Sequence, residues 1–467
     1  AVINRPLPAN APGRAPSTRR PVPYKTSIRI AGVDSNVWNW RFYTMRVSKH
    51  GVMMHVMGGA RAVLSGVVIE DGGCHFPSIV CMRDHGFVGP MLKCSGSCTV
   101  TGSSLTPNLG HGISASSGTL VQGNVIFKPS TGVQVRRSAR VVDNAVYSVE
   151  DKPKNLGFTD EDAGFALFGG SSTVLRNAVA GSNKACFSST GFAHPRARFQ
   201  NNSGHASMMG FINKGRVRQP IQDLTLYQIT HIAIWGYAHG DVTISNVRIA
   251  DFSIGMLWGS IGPDSATHIA RLQTVTLRDS LLVGRTATNA ICNSQVGILL
   301  GTFAGSGPSI SPSTCGPLGG HWTRGIYGME HPTGSNPALI GEARVTNVTF
   351  HRFLNTQQTG GCGGTSFVAM TNMRGGMESS DAIPPHFFKE ITIDAESRTN
   401  LANLPPPKQA WIAPSKCIVM DCDGPRHVLL HDLDGSLTGL GVDASVIARA
   451  EHMNQYRADT SKFTWYN

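Results

Sequence analysis

Two short motifs recur along this chain, and no other feature limits its fold as strongly. One motif is a turn residue, often Asn, followed by apolar residues at alternating or adjacent positions. Copies are Gly123-Asn124-Val125-Ile126-Phe127, Asp143-Asn144-Ala145-Val146-Tyr147, Arg176-Asn177-Ala178-Val179, Ser245-Asn246-Val247-Arg248-Ile249 and Thr346-Asn347-Val348-Thr349-Phe350. The other motif is Gly followed by apolar alternation. It occurs at Gly112-Ile113-Ser114-Ala115, Gly132-Val133-Gln134-Val135, Gly164-Phe165-Ala166-Leu167, Gly210-Phe211-Ile212, Gly255-Met256-Leu257-Trp258 and Gly297-Ile298-Leu299-Leu300. The first three Asn copies lie about 20–33 residues apart, and the two motifs alternate there.

Each motif is too short for a buried helix and has the period of a strand. Two or three short strands in every ~20–30 residues, with no helical segment between them, cannot build crossover units with helices; they can stack as the rungs of a parallel coil. The expected fold is all-β, a right-handed parallel β-helix of the pectin-lyase-like solenoid type with a C-terminal capping hairpin. Asn suits its bends, because it tolerates left-handed backbone and bonds locally. Stacked Asn residues would also form a ladder. A propeller needs blades of about 40 residues joined by hairpins. The shorter period and the missing hairpin dipeptides weigh against it.

Size agrees with an elongated repeat. The chain has 467 residues, beyond the ~250–300 at which single compact cores stop growing. Glycine is abundant at 53 residues, and charged residues are only 15%, a balance that favours strands and turns over helices. The formal charge is +12, which would attract acidic glycans, nucleic acid or anionic membrane. No nucleic-acid-binding signature accompanies it, so nucleic acid is not an expected partner. No run of 18 apolar residues occurs, so no transmembrane segment is expected. The chain starts with Ala rather than Met and shows no signal peptide; the expectation is a processed or excised piece of a longer precursor.

Residues 1–45 read as an extended N-terminal arm or linker, and 46–404 as the β-helix. Loop insertions interrupt it near 302–335 and 356–385, and residues 405–467 read as a C-terminal capping segment. An open end of such a stack needs a cover, because its free strand edge invites aggregation.

Ten cysteines, an even count, fit disulfides in a secreted protein. Cys94 with Cys98, and Cys417 with Cys422, are close enough for local bridges; zinc is the competing reading, and neither pair has a second pair at finger spacing. Asn201 and Asn347 open glycosylation sequons. Asp421, Asp423, Asp432 and Asp434 flank a hairpin and would suit calcium, against turn chemistry, in which Asp satisfies backbone donors. No other cofactor is indicated. His427 and His431 share one face of an apparent strand. Asp160 and Asp162, in Thr159-Asp160-Glu161-Asp162, are the candidate acid–base pair of a glycoside hydrolase, against a polar loop between rungs. Trp235, Trp258, Trp322 and Tyr237 would offer sugar-stacking platforms or else pack inside. No phosphate-cradling loop, nucleophile elbow or His-Glu-x-x-His occurs.

The C-terminal string is the most specific signature. Cys417-Ile418-Val419-Met420-Asp421-Cys422-Asp423-Gly424-Pro425-Arg426-His427, followed by His431-Asp432-Leu433-Asp434-Gly435-Ser436-Leu437-Thr438-Gly439 and the Val446–Glu451 stretch, resembles the end of the β-helix region of the fibrocystin and fibrocystin-L family. The same region occurs in the cell-surface hyaluronidase and the cell-migration-inducing hyaluronan-binding proteins. The resemblance implies an extracellular or cell-surface β-helix in a larger protein. In those relatives an early rung typically carries a Tyr-Pro-x-His-Phe-His string. Here Phe76-Pro77-Ser78-Ile79-Val80-Cys81-Met82 stands in its place, and both histidines are replaced.

Three functional expectations follow. The first is a non-catalytic extracellular or cell-surface structural and assembly module, whose partners are other protein subunits or surface-coat components. The second is an enzyme that degrades a polysaccharide of the hyaluronan or pectin type in a basic groove. The third is a module that binds glycans, acidic ones included, without cleaving them.

Overall fold

The computed structural model describes residues 54–56, 61–72, 90–107, 111–150, 163–190, 194–213, 219–238, 241–260, 273–286, 295–300, 341–354, 365–370, 386–395, 402–403, 430–437, 439, 441, 444–447 and 464–466. Every regular element among the described residues is a β-strand. The strands pair in parallel, and in the N-terminal half each pairs with the third strand after it. Ladder one runs Met54–Val56, Pro90–Cys94, His111–Ala115, Thr131–Val135, Ala163–Leu167, Ala185–Ser189. Ladder two runs Arg61–Ser65, Ser97–Thr101, Leu120–Gln122, Arg140–Val142, Thr173–Leu175, Arg198–Gln200, Ile221–Gln222, Val242–Ser245. Ladder three runs Val68–Gly72, Ser104–Pro107, Val125–Phe127, Ala145–Tyr147, Ala178–Ala180. One strand from each ladder makes a rung.

Later strands serve two ladders at once. Ser203–Asn213, Thr225–Ala238 and Arg248–Ser260 extend ladder three with their first halves and ladder one with their second. Gln273–Val283, Gly341–His351 and His386–Ile393 bridge ladders two and three instead. Ladder one goes on through Gln295–Leu300, Thr365–Met370 and Ala402–Asn403. The strand Thr365–Met370 falls inside the stretch 356–385 that the sequence marks as an insertion; the flanking Gly runs hide its apolar alternation.

A single backbone device makes the bends. Between ladders two and three, Gly66, Gly102, Gly123, Asp143, Arg176, Asn201, Asp223, Asn246, Asp279, Asn347 and Glu390 all have positive φ. They occupy equivalent register positions, and a left-handed residue turns the chain while keeping its N–H in the ladder. Asp143 N–H donates to Leu175 O at 3.1 Å and Arg176 N–H to Gln200 O at 3.2 Å, each one rung on. Between ladders three and one, Lys128, Ser148, Gly181, Ala206, Gln228, Asp251 and Arg352 do the same.

The residue after the first bend points inward. Asn124, Asn144, Asn177 and Asn202 occupy it in successive rungs, each only 1% exposed. Their amides form a ladder: Asn124 Nδ2 donates to Asn144 Oδ1 at 2.9 Å, Asn144 Nδ2 to Asn177 Oδ1 at 3.0 Å, and Asn177 Nδ2 to Asn202 Oδ1 at 3.1 Å. Each Oδ1 also accepts a backbone N–H of the preceding rung, from Ser103, Asn124, Asn144 and Asn177 in turn. Burial without these partners would cost ~1–3 kcal/mol per group. The five Asn motifs are therefore not equivalent. Asn246 and Asn347 sit one position earlier, at the left-handed residue itself.

Valine, isoleucine, leucine and phenylalanine from all three ladders fill one continuous core. Phe165, Phe187 and Phe211 are in register in ladder one. Phe199 of ladder two meets Phe187 at 5.3 Å and Phe211 at 5.2 Å. The glycines before Ile113, Val133, Phe165 and Phe211 are needed for space, whereas Cys186 holds that place before Phe187. A Cβ on Gly132 would lie 2.4 Å from Gly164 O and 2.7 Å from Val146. In ladder one the alternate positions are buried as well, including Gln134, Ala166, Ile212 and Trp235.

Among the described residues, Leu430–Asp432 is the last strand added in parallel to ladder two. The described antiparallel pairs follow it: Leu430–Asp432 with Ala444–Ile447, and that strand with Thr464–Tyr466.

Candidate functional site

Ladder three turns alternate side chains outward, and one register column of them differs from the rest of the surface. It reads Phe127, Tyr147, Ala180, His205, Tyr227, Ala250, Val283 and His351. Phe127 and Tyr147 are each 41% exposed and Tyr227 38%; with Val125 on the neighbouring column they make up most of the large exposed apolar side chains among the described residues. The His205 and Tyr227 rings stack at 4.5 Å, 10° from parallel. Partial burial holds the His205 pKa below the usual imidazole value, so the ring is neutral at neutral pH. Its neighbours on the second column, Ala145, Ala178, Ser203 and Thr225, are uncharged too. In a chain of net charge +12, these two columns carry no charge of their own from Val125 to Tyr227, and Lys128, at the bend beside Phe127, holds its Nζ 5.7 Å from that ring.

The C-terminal end of the column is polar. His351 Nδ1 lies 2.5 Å from Asp394 Oδ2, and Arg352 N–H donates to the same oxygen at 2.7 Å. Arg352 Nε donates to Arg285 O at 2.7 Å. Buried Asp251, one of the left-handed bend residues, accepts from Thr286 N–H at 2.8 Å and from its hydroxyl at 2.6 Å. Desolvation lowers the pKa of buried Arg285, opposed by the Asp251 charge. The His351–Asp394 pair orients an imidazole as a catalytic dyad would. Among the described residues no hydroxyl or thiol hydrogen-bonds that imidazole, and the pair ties the bend at Arg352 to Asp394 on the next rung.

Asp432 and Asp434 serve the backbone. Asp432 Oδ1 accepts from Leu437 N–H at 3.2 Å; Asp434 accepts from Glu390 N–H at 2.8 Å and from Ser436 N–H at 3.1 Å. Burial would raise the Asp434 pKa, but the hydrogen bonds from Ser436 and Glu390 outweigh it and the net shift is downward. Gly435 has φ +70°, and Ser436 Oγ accepts Ile391 N–H at 2.8 Å, as Ser280 Oγ accepts Val247 N–H at 3.2 Å. The Asp-Gly-Ser step therefore repeats the bend of the preceding rungs. Among the described residues no group of three or more His, Cys, Asp or Glu side chains is placed to hold a metal ion. Asp421, Asp423, Asp160, Asp162, His427, Cys417 and Cys422 lie outside the described residues.

Cys94 and Cys98 are joined, with Cα atoms 5.9 Å apart. Cys186 is a buried free thiol whose pKa burial pushes up to about 12. Asn201 and Asn347 are exposed at left-handed bend positions. Asn347 Nδ2 donates to Asp279 Oδ1 at 2.8 Å. His431 stacks on Phe387 at 4.7 Å. Trp235 is 3% exposed and offers no platform; Trp322 and the side chains of Trp258 and Tyr237 lie outside what is described. The exposed rings are instead Phe127, Tyr147 and Tyr227. Their signal in sequence is a constant offset: Phe127 and Tyr147 each follow a ladder Asn by three residues.

Among the described residues no helix is long and apolar enough to cross a membrane. No family model and no curated protein matches this sequence.

Proposed function

We infer that this chain is a non-catalytic structural and assembly module, wound as a right-handed parallel β-helix of the pectin-lyase-like type. One observation carries the reading. The same bend recurs in register from Gly66 to Glu390, so side chains that a catalytic site would use are spent on holding rungs together. Asp143 pairs with Arg176 at 2.6 Å, Asp279 and Asp434 serve bend partners, and Asp251 binds Thr286. Right-handed winding follows from the near-universal hand of parallel crossovers. The antiparallel strands after Leu430 act as a cap that covers the open edge of ladder two.

The location we assign is outside the cell or at its surface, within a larger protein. The Cys94–Cys98 bridge suits an oxidising compartment, and the C-terminal string resembles the fibrocystin family. The partners are other protein subunits or surface-coat components, and no resident cofactor is assigned. Asn201 and Asn347 are exposed enough to accept glycans. Incubating the purified chain with hyaluronan, pectin and sulfated glycans and sizing the products tests the reading. Unchanged polymers are expected; shortened chains would replace it with the polysaccharide-degrading alternative.

A further inference from the structure

The outward column of ladder three has a gap. Phe127 and Tyr147 occupy adjacent rungs, His205 and Tyr227 occupy adjacent rungs, and Ala180 stands alone between the two pairs. Tyr147 and His205 are therefore two rungs apart, ~9.6 Å at the usual spacing between strands. A ring placed over Ala180 would lie ~4.8 Å from each. That is close to the 4.5 Å at which His205 and Tyr227 stack, and within the range that aromatic pairs prefer. Ala180 is partly exposed and Tyr147 largely so, and among the described residues no ring packs on Tyr147. Gly181, at the adjoining bend, keeps the approach low.

Charge narrows the occupant. From Phe127 to Tyr227 the column and its neighbour carry no ionised side chain, although the whole chain is strongly basic. The nearest cation along the column is Lys128, whose Nζ lies 5.7 Å from the Phe127 ring, two rungs from Ala180; the rungs that flank Ala180 offer an acidic polymer no cation on either column. The spacing suits a flat ring better than a puckered one, because both walls are rings and the slot is one ring thick.

We propose that the space over Ala180, between Tyr147 and His205, receives a single uncharged aromatic side chain from a partner protein. This names the docking point of the assembly module and rests on that reading. The partner segment lies across ladder three, its ring seated between Tyr147 and His205.

The test is saturation-transfer NMR on the full chain with the peptide Gly-Ser-Trp-Ser-Gly, its Leu counterpart, and cellohexaose. The indole protons should saturate, and the Leu peptide should not. Ala180→Phe supplies the missing ring from within and should reduce the indole signal about tenfold, the worth of one aromatic stack. Tyr147→Ser removes one wall at an exposed site and should reduce it by a similar factor, so the test survives if Ala180→Phe misfolds. Lys389→Ala, on ladder two, should leave it unchanged. An indole signal that is absent, or unaffected by both variants, overturns the proposal. Saturation of cellohexaose that both variants abolish overturns it in favour of glycan binding at the same slot. Glycan shortening in the earlier assay, with the indole result intact, would refute the non-catalytic reading while leaving the slot standing.

Discussion

The rungs from Ser103 to Asn202 and those from Leu224 to Ile391 make the same bend with different interiors. In the first set, the inward position after the left-handed residue holds stacked amides, Asn124, Asn144, Asn177 and Asn202. In the second it holds Leu224, Val247, Ser280, Val348 and Ile391. Both sets keep the parallel register. The bend is therefore fixed by backbone geometry, and the Asn ladder is one way to fill the space behind it; Ser103 and Ser280 place a hydroxyl there that accepts the N–H of Val67 and Val247, and the remaining positions hold aliphatic side chains. Amides exchange desolvation for a chain of satisfied hydrogen bonds; aliphatic residues avoid the exchange.

The largest expected break in that comparison is Asn144→Leu. It leaves groups of Asn124 and Asn177 buried without partners and should cost about 3 kcal/mol in urea unfolding. The matching change in the second set, Val348→Asn, introduces a lone buried amide and should cost ~2 kcal/mol. Leu224→Asn should cost less than either, because Asn202 stands directly before it and would extend the ladder. A larger loss for Leu224→Asn than for Val348→Asn would mean that amide stacking does not propagate.

Acid sharpens the contrast differently. His231, in the second set, has its pKa pushed down to about 4 by burial. An unfolded chain binds that proton near pH 6.5 and the folded one does not. Stability should therefore fall as pH drops from about 6.5 towards 4, by up to ~3 kcal/mol. His231→Gln should flatten that part of the pH curve. The smallest effect belongs to the exposed pair of the first set. The Arg176 guanidinium holds the Asp143 carboxyl below its usual range, so its contribution is present above pH ~4 and lost below it. Asp143→Ala should cost less than about 1 kcal/mol at neutral pH.

The strand period and the all-β class were legible in the two motifs, because buried alternation is imposed by the core. The bend register was not. Gly123-Asn124 and Ser245-Asn246 look alike in sequence, yet Asn124 faces inward and Asn246 is the left-handed residue; only the pairing distinguishes them. Val125-Ile126-Phe127 reads as apolar throughout, and only Ile126 is buried. The exposed column was thus hidden inside what looked like core. Asp432 and Asp434 were legible as turn chemistry, but not as a further copy of the bend, because Gly435 and Ser436 replace the Asn signature.

The parallel stack itself is tested most directly by distance between spin labels on one outward column of ladder two. Gln122 and Lys389 lie on that column eight rungs apart through Val142, Leu175, Gln200, Gln222, Ser245, Arg278 and Thr346. Labels carried on keto amino acids at Gln122 and Lys389 should give a narrow distribution near ~38 Å, and at Gln122 and Arg278 one near ~29 Å. Distances that do not grow with the number of rungs, or a broad distribution at either pair, would contradict the stacked arrangement.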